Sequence, residues 1–135
     1  MKQSEDVDDY IFVSAPNKAG ENFLQMLRCR GFAYAALTNN ENEAKRLLES
    51  GVKHLVMVDT SEHKTWILPE FPVGSIFLFE TSVTLCCRYI QICRKWTTKP
   101  IYVITHSCNP RLIYKGLGAD YVIYTHSEDL SFLIG

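Results

Sequence analysis

The chain has 135 residues, of which 47% are hydrophobic and 21% charged, and its formal net charge at pH 7 is −1. This length predicts one domain with a sizeable core, and the small net charge argues against nucleic-acid binding and against capture by an anionic membrane. The longest apolar run is too short to cross a bilayer, so we expect no direct membrane insertion by this chain.

Strand and helix patterns alternate along the chain. Short apolar runs predict six strands, at residues 10–13, 32–37, 52–58, 75–80, 101–105 and 121–124. Amphipathic spacing predicts helices at residues 19–30, 41–50, 82–96 and 110–117, with Gly31 and Gly51 ending the first two. The sequence predicts an irregular stretch at residues 59–74, and residues 127–134 read as the start of a further helix that is cut off.

This alternation predicts a Rossmann-like α/β fold, a doubly wound and mostly parallel six-stranded sheet with helices on both faces. Residues 1–9 are predicted to be a flexible tail and residues 10–135 a single domain. The polar start lacks the basic and apolar regions of a signal peptide, and the five cysteines form no CxxC pair. An odd number of cysteines is typical of a reduced compartment, so we expect a cytoplasmic protein.

The turn after the first predicted strand departs from the glycine pattern of a dinucleotide-binding loop. In that pattern the first glycine permits a tight turn and the second lets the pyrophosphate approach the backbone. Ser14 and Pro16 stand at those two places, and Pro16 also lacks an N–H donor. Gly20, after a one-residue insertion, or Ala19 can serve as the third glycine. The fold is therefore expected to be kept while the nucleotide site is degenerate.

Four stretches carry a resemblance to a known family: residues 10–31, residues 56–61, residues 75–96 and residues 100–123. The most specific is the last, in which Leu117, Gly118, Ala119 and Asp120 lead into the sixth strand. Together the stretches resemble the nucleotide-binding RCK domain (regulator of potassium conductance) of bacterial potassium channels and transporters.

The resemblance implies a non-catalytic regulatory domain that senses a ligand, self-associates and modulates a membrane transport partner. Its ligand, NAD(H) or another adenine nucleotide, would lie over the carboxyl ends of the strands. The implied binding residues are Ser14, Ala15, Pro16, Asn17, Gly20, Thr38, Asn39, Asp59 and Thr81. Thr38, Asn39 and Asn40 stand where the family has an acidic residue for the ribose. Asp59 matches the family's acidic residue after the third strand.

Two alternatives remain open at the level of sequence. Asp59 at one strand end and Thr105 at another also resemble a phosphoacceptor receiver domain. A receiver needs a further acidic pair after its first strand, where this chain has Ser14 and Ala15, and it has five strands rather than six. The other alternative is a small NAD(P)-dependent oxidoreductase, against which the missing glycines and the lack of a substrate domain count.

The long helix predicted at residues 82–96 is the candidate surface for self-association. Its inward face is predicted to carry Val83, Cys86, Tyr89, Ile90, Cys93 and Trp96. Leu85, Cys87 and Ile92 extend the apolar surface beyond one face, which favours a homodimer or higher oligomer through this helix. The alternative is a helix enclosed within its own domain.

Two further residues suggest a metal or thiolate site. His106 and Cys108 follow the fifth predicted strand, at the edge where open sheets bind ligands. A metal or thiolate site there competes with an ordinary surface role, and the sequence predicts no metal centre.

Overall fold

The computed structural model describes residues 9–58, 69–106, 111–126 and 129–134. The strands are β1 (Tyr10–Ser14), β2 (Tyr34–Thr38), β3 (Leu55–Met57), β4 (Val73–Phe79), β5 (Ile101–Thr105) and β6 (Tyr121–Tyr124). The helices are α1 (Lys18–Cys29), α2 (Glu41–Glu49), α3 (Val83–Trp96) and α4 (Arg111–Leu117), and a single 3-10 turn covers Ser131–Ile134.

The six strands form one sheet in the order β3-β2-β1-β4-β5-β6, and all five pairings are parallel. Helices α1 and α2 pack on one face, where Phe23, Leu27 and Leu47 meet Val13 and Phe77. Helices α3 and α4 pack on the other face, and the core between them and the sheet includes Phe12, Leu37, Ile76, Ile90, Cys93 and Tyr114. The predicted doubly wound Rossmann-like sheet is confirmed.

The helix ends follow the local sequence. Asn17, Asn40 and Ser82 cap the amino ends of α1, α2 and α3, each accepting an N–H from the residue three positions later. Gly31 and Gly51 follow α1 and α2 with φ of +79° and +112°, as expected of glycines just past a helix end.

Four predicted elements differ from the structure, and the second strand begins at Tyr34 rather than at residue 32. The third strand is shorter than predicted and is an edge strand, so Met57 is exposed instead of being covered on both faces. The fourth strand begins earlier, at Val73, because the Tyr10 N–H donates to the Pro72 carbonyl and extends the pairing with β1. The final segment forms a 3-10 turn rather than an α-helix, with Leu130 buried against the α1 face.

Residues 1–8 of the predicted tail lie outside the described residues, as do Asp59 and Cys108. Asp9 is described, and its carboxylate lies 3.7 Å from Lys99 Nζ. Among the described helices, none combines the length and the apolarity needed to cross a membrane.

Candidate functional site

The strand order reverses direction between β1 and β4, because the chain winds from β1 toward β3 on one side and from β4 toward β6 on the other. In open parallel sheets, ligands bind outside the carboxyl ends of the strands at this switch point. Ser14 ends β1, Thr38 ends β2 and Thr81 follows β4, so the structure brings these three predicted residues to one edge.

Two N–H groups at the start of α1 form hydrogen bonds with Asn17, the residue before the helix. Asn17 Oδ1 accepts the Gly20 N–H at 2.9 Å, and the Asn17 carbonyl accepts the Glu21 N–H at 3.0 Å. The N–H groups at a helix amino end are those that bind a phosphate in dinucleotide sites. Here the Asn17 side chain occupies one of them, and the Glu21 carboxylate of the first turn is paired with Arg46 at 2.9 Å.

Gly20 retains the packing role of the third glycine. A Cβ on Gly20 would lie 2.7 Å from Ala15 Cα and 3.2 Å from Cγ of Phe79. In dinucleotide-binding folds the third glycine allows this close approach of helix to strand. Ala15 is fully buried at this contact, and Pro16, in the next position, is half-buried at the mouth of the cleft.

The end of β2 carries an acidic group that the sequence analysis missed. Glu43, in the first turn of α2, accepts a hydrogen bond from Thr38 Oγ1 at 2.5 Å through Oε1. Its backbone N–H donates to Asn40 Oδ1 at 3.0 Å, the first bond of a capping box, whereas the Asn40 N–H donates to Thr38 Oγ1 at 3.1 Å rather than to Glu43. The spacing of Asn40 and Glu43 was a sequence signal for this placement. A carboxylate therefore stands near the end of β2, but it comes from the helix and is already hydrogen-bonded.

Tyr89 of α3 reaches the same edge. Its hydroxyl donates to Asn39 Oδ1 at 3.4 Å and lies close to the Ser14 side chain. Burial, with a smaller contribution from the Glu43 carboxylate, raises the pKa of Tyr89 above its ordinary value, so the phenol stays protonated. The periodic spacing of the helix predicted Tyr89 as a core residue, which is correct for its ring but does not reveal the position of its hydroxyl.

Tyr89, Pro16 and Leu85 narrow the cleft at the switch point. The space that they line with Ser14 and Thr81 is about 10 Å³, room for about one water molecule and far below the roughly 300–1,000 Å³ of typical ligand pockets. The predicted residues Ser14, Pro16 and Thr81 thus lie together. Asn17 and Thr38 lie beside them at the helix amino ends, where each is hydrogen-bonded within the chain.

A second polar cluster lies between the ends of β4 and β5. Glu80 Oε1 accepts a hydrogen bond from Thr105 Oγ1 at 2.5 Å, and Glu80 Oε2 accepts one from the Tyr114 hydroxyl. Burial and the hydrogen bond to Glu80 raise the pKa of Tyr114, whose side chain is fully buried. Thr105 was predicted at a strand end, but the bonds of Glu80 with Thr105 and Tyr114 join segments far apart in the chain and could not be predicted from the sequence.

The cysteines of α3 are not poised for nucleophilic chemistry. Burial, with a smaller effect of the Glu80 carboxylate, raises the pKa of the Cys86 thiol to about 12. Cys93 is fully enclosed, and burial raises its thiol pKa further still. Protonated buried thiols act as small apolar groups, as the core interpretation of these cysteines predicts.

In the structure, the side chain of His126 lies beside that of His106. The two rings stack with centroids 4.9 Å apart, and His106 Nδ1 lies 2.7 Å from the Thr125 carbonyl oxygen. Both side chains are exposed at the carboxyl edge. Within the described ranges, no group of three or more His, Cys, Asp or Glu side chains could hold a metal ion.

The expected apolar surface of α3 is enclosed within the domain. Ile92 is buried, and Leu85 and Cys87 are half-buried against the α3 and α4 side of the core. Val83 is the exposed large hydrophobic residue of this helix. Helix α3 packs on the sheet and against α4, so these residues leave less apolar surface on it than expected, and self-association through residues 82–96 stays a prediction.

No protein-family model matches the chain, and no curated protein sequence matches it either. Solved structures do match the chain. The TrkA-N domain of the inner membrane protein YbaL from Escherichia coli is 13% identical, with a TM-score of 0.71, and the match covers 96% of this chain and 96% of that one. The NAD(P)-binding domain of an exopolyphosphatase-related protein from Archaeoglobus fulgidus is 15% identical, with a TM-score of 0.71, over 87% of this chain and 88% of that one.

The GsuK channel bound to NAD is 16% identical, with a TM-score of 0.71, and the match covers 90% of this chain. This chain spans 22% of the length of that GsuK chain. A close structural match at such low sequence identity establishes the fold alone, so the function has to be argued from the site. The chain has the Rossmann-like fold of the RCK and TrkA-N nucleotide-binding domains.

Proposed function

We propose that this chain is a non-catalytic regulatory domain that senses a ligand at the carboxyl edge of its sheet. The observation that carries this proposal is the state of the switch-point cleft. Gly20 preserves the helix-to-strand contact of a dinucleotide site, while Asn17, Pro16 and Tyr89 occupy the positions from which a pyrophosphate would be bound. A site built in this way is suited to a weaker or smaller ligand than a dinucleotide cofactor that is held permanently.

The ligand class that we propose is NAD(H) or another adenine nucleotide. Two of the similar structures are described as bound to NAD and as an NAD(P)-binding domain, and a third is GsuK bound to ADP. In this chain Thr38, Asn39 and Glu43 would supply hydrogen bonds to a ribose at the end of β2. Asp59 and Thr81 complete the proposed set, the former on the sequence pattern alone.

Regulation rather than turnover is favoured by the polar groups at this edge. Glu80 is held by Thr105 and Tyr114, Glu43 is held by Thr38, and the Cys86 thiol is protonated. Each group is engaged within the domain instead of pointing at an open pocket. An oxidoreductase would also need room for a substrate beside its cofactor, which the switch-point cleft does not provide.

The strand order argues against the receiver alternative. A receiver has five strands in the order 2-1-3-4-5, whereas this sheet has six strands in the order 3-2-1-4-5-6. Phosphoryl transfer to Asp59 is therefore not part of the proposal.

The partner that we propose is a membrane transport protein for potassium, with the domain acting on it through self-association. This part rests on the resemblance to the RCK family and on the similarity to the GsuK RCK domain, of which this chain spans 27%. Acting on a pore requires that ligand binding change how copies of the domain contact each other or the partner, which is a coupling between two sites.

The test is a thermal-shift series with NAD, NADH, NADP, ATP, ADP and AMP on the wild-type chain and on the double variant Ser14→Gly/Pro16→Gly. Restoring both glycines reopens the loop, so we expect a larger nucleotide-induced shift in the variant than in the wild type. Ligand at a hundredfold excess over Kd adds about 2.7 kcal/mol, which corresponds to a shift on the order of 10 °C.

The matched control is Pro100→Gly, which makes the same exchange at the opposite edge of the sheet, before β5. Each variant is compared with its own ligand-free melting temperature, which removes the effect of the substitution on stability. A shift in the wild type with one nucleotide supports the sensing role. Absence of any shift in both the wild type and the glycine-restored variant would exclude a nucleotide site at this edge.

A further inference from the structure

A small recess lies in the groove between α1 and α2, and we call it the α1–α2 recess. Its volume is about 90 Å³, enough for more than one water molecule and less than the roughly 150 Å³ that holds a benzene ring. Leu24, Leu47 and Val52 give it apolar walls, whereas Tyr34 and Arg28 add polar groups. It shares no lining residue with the switch-point cleft, so it is a separate candidate site.

Tyr34 places a buried hydroxyl at this recess. The residue begins β2 and is only 7% exposed, and its ring packs in the core on the α1 face of the sheet. Among the described residues, none forms a hydrogen bond with the Tyr34 hydroxyl. Buried tyrosines ordinarily have such a partner, because an unpaired hydroxyl loses its hydration without compensation. Burial raises the pKa of Tyr34 more than the Arg28 charge lowers it, so the hydroxyl stays protonated and can donate.

Arg28, in the last turn of α1, adds a positive charge to the recess. Its Nη1 donates to the Ser50 carbonyl at 3.1 Å, and a Cβ on Gly51 would lie 1.7 Å from the same nitrogen. Because residue 51 is glycine, the guanidinium can lie there and keep its other N–H groups as donors. In the described part of the chain, no carboxylate forms an ion pair with Arg28, since Glu21, which also lines the recess, is paired with Arg46 at 2.9 Å.

We propose that the α1–α2 recess binds a short monocarboxylate of about two to four carbon atoms, whose oxygens accept hydrogen bonds from the Tyr34 hydroxyl and the Arg28 guanidinium. Lys18 also lines the recess and adds a second positive charge. The apolar walls suit the hydrocarbon part of such a ligand, whereas inorganic phosphate would leave them without a contact. This site goes beyond the proposed function and is independent of the nucleotide site.

The test is a titration of the full ¹⁵N-labelled chain with propionate at constant ionic strength, followed through the amide chemical shifts. A ligand this small should bind with a Kd in the millimolar range, so the titration runs from about 0.1 to about 100 mM. We expect saturable shifts at the amides of Arg28, Tyr34 and Ser50. Propionamide, which has the same shape without the charge, and inorganic phosphate should not produce them.

Tyr34→Phe and Arg28→Gln should each weaken propionate binding at least about tenfold, because each removes a hydrogen bond to a charged group. Tyr34→Phe removes a hydroxyl without a described partner, so the ligand-free variant should melt at an unchanged or higher temperature. The matched controls, Tyr121→Phe on β6 and Arg111→Gln on α4, make the same exchanges at exposed residues outside the recess. Neither control should change the Kd by more than about twofold.

Three results would overturn the proposal. The first is a propionate titration without saturable shifts at these amides, and the second is an equal response to propionamide or phosphate. The third is a Tyr34→Phe variant that binds propionate as tightly as the wild type. Because the nucleotide test alters Ser14 and Pro16, which do not line this recess, the two sites can fail separately.

Discussion

Gly20 determines how closely α1 can approach the end of β1, and therefore where the helix amino end lies relative to the switch point. Its would-be Cβ lies 2.9 Å from the Ala15 Cβ and closer still to the Ala15 backbone. The sequence pattern identified Gly20 as a replacement for the third glycine, since that role depends only on its spacing from the strand. The hydroxyl of Tyr89 could not be predicted in the same way, because its contacts with Ser14 and Asn39 join segments far apart in the chain.

Gly20→Ala should lower the free energy of unfolding by about 1–3 kcal/mol, because the added methyl group overpacks a contact with backbone. Its control is Gly116→Ala, which fills open space on an exposed helix face and should raise stability by about 0.5–1 kcal/mol. Urea denaturation of the two variants checks both signs. Stabilisation by Gly20→Ala would show that α1 can move away from Ala15 at no cost.

Arg94 joins the end of α3 to the start of β6 at the amino edge of the sheet. Its guanidinium donates to the carbonyls of Gly118, Thr97 and Lys99 at 2.7–2.8 Å, and Nη1 donates to Asp120 Oδ2 at 3.0 Å. Asp120 Oδ2 also accepts the Ile101 N–H at 2.8 Å, which fixes β5 to the same point. Arg94 and Asp120 together therefore join the end of α3 to the starts of β5 and β6.

Asp120→Asn should reduce stability most at neutral pH. Burial raises the pKa of the Asp120 carboxyl, but the Ile101 N–H and the Arg94 guanidinium outweigh burial and hold the pKa below its ordinary value. A lowered folded pKa stabilises the protein above the ordinary carboxyl pKa, and this contribution is lost as the pH falls through the folded value.

The measurement is urea denaturation at several pH values between about 7 and about 3, a range that brackets the ordinary carboxyl pKa. The stability difference between wild type and Asp120→Asn should be greatest at pH 7 and shrink toward pH 3. Asp9→Asn is the control, because its exposed contact with Lys99 is 3.7 Å long and should contribute little. A difference that stays constant with pH would mean that the charge of Asp120 does not contribute.

The bounds of most elements could be predicted because apolar periodicity and capping residues are local signals. The end elements were predicted less well for a physical reason. β3 has a neighbour on one side and keeps three residues in the sheet, although the apolar run around it is longer. Periodicity reports which residues are apolar, but how many of them pair depends on the neighbouring strand.

At the scale of the whole molecule, stability is concentrated at the centre of the sheet. Phe12 and Val13 of β1 are fully buried, and β1 pairs with both β2 and β4. The edge strands differ, because Met57 of β3 and Tyr121 of β6 are about half-exposed, at 46% and 51%. Local opening of a domain starts from its edges and ends.

Hydrogen exchange should therefore be slowest at the amides of β1 and β4 and fastest at β3 and at the 3-10 turn of residues 131–134. The expected order reflects the burial of each strand and the number of its paired neighbours. Exchange measured by NMR at single-residue resolution checks this order. Protection of β3 equal to that of β1 would contradict it and would indicate that the sheet opens only as one unit.

Tyr114 connects helix α4 to the carboxyl edge of the sheet. Its hydroxyl is held by Glu80 at the carboxyl edge, while its helix carries Leu112 and Ile113 outward on the opposite side. A ligand that competed for the Glu80 carboxylate would have to break its hydrogen bonds from Thr105 and Tyr114. The carboxyl edge of the sheet and the packing of α4 are therefore linked through one carboxylate, so we expect a change at one of them to alter the stability of the other.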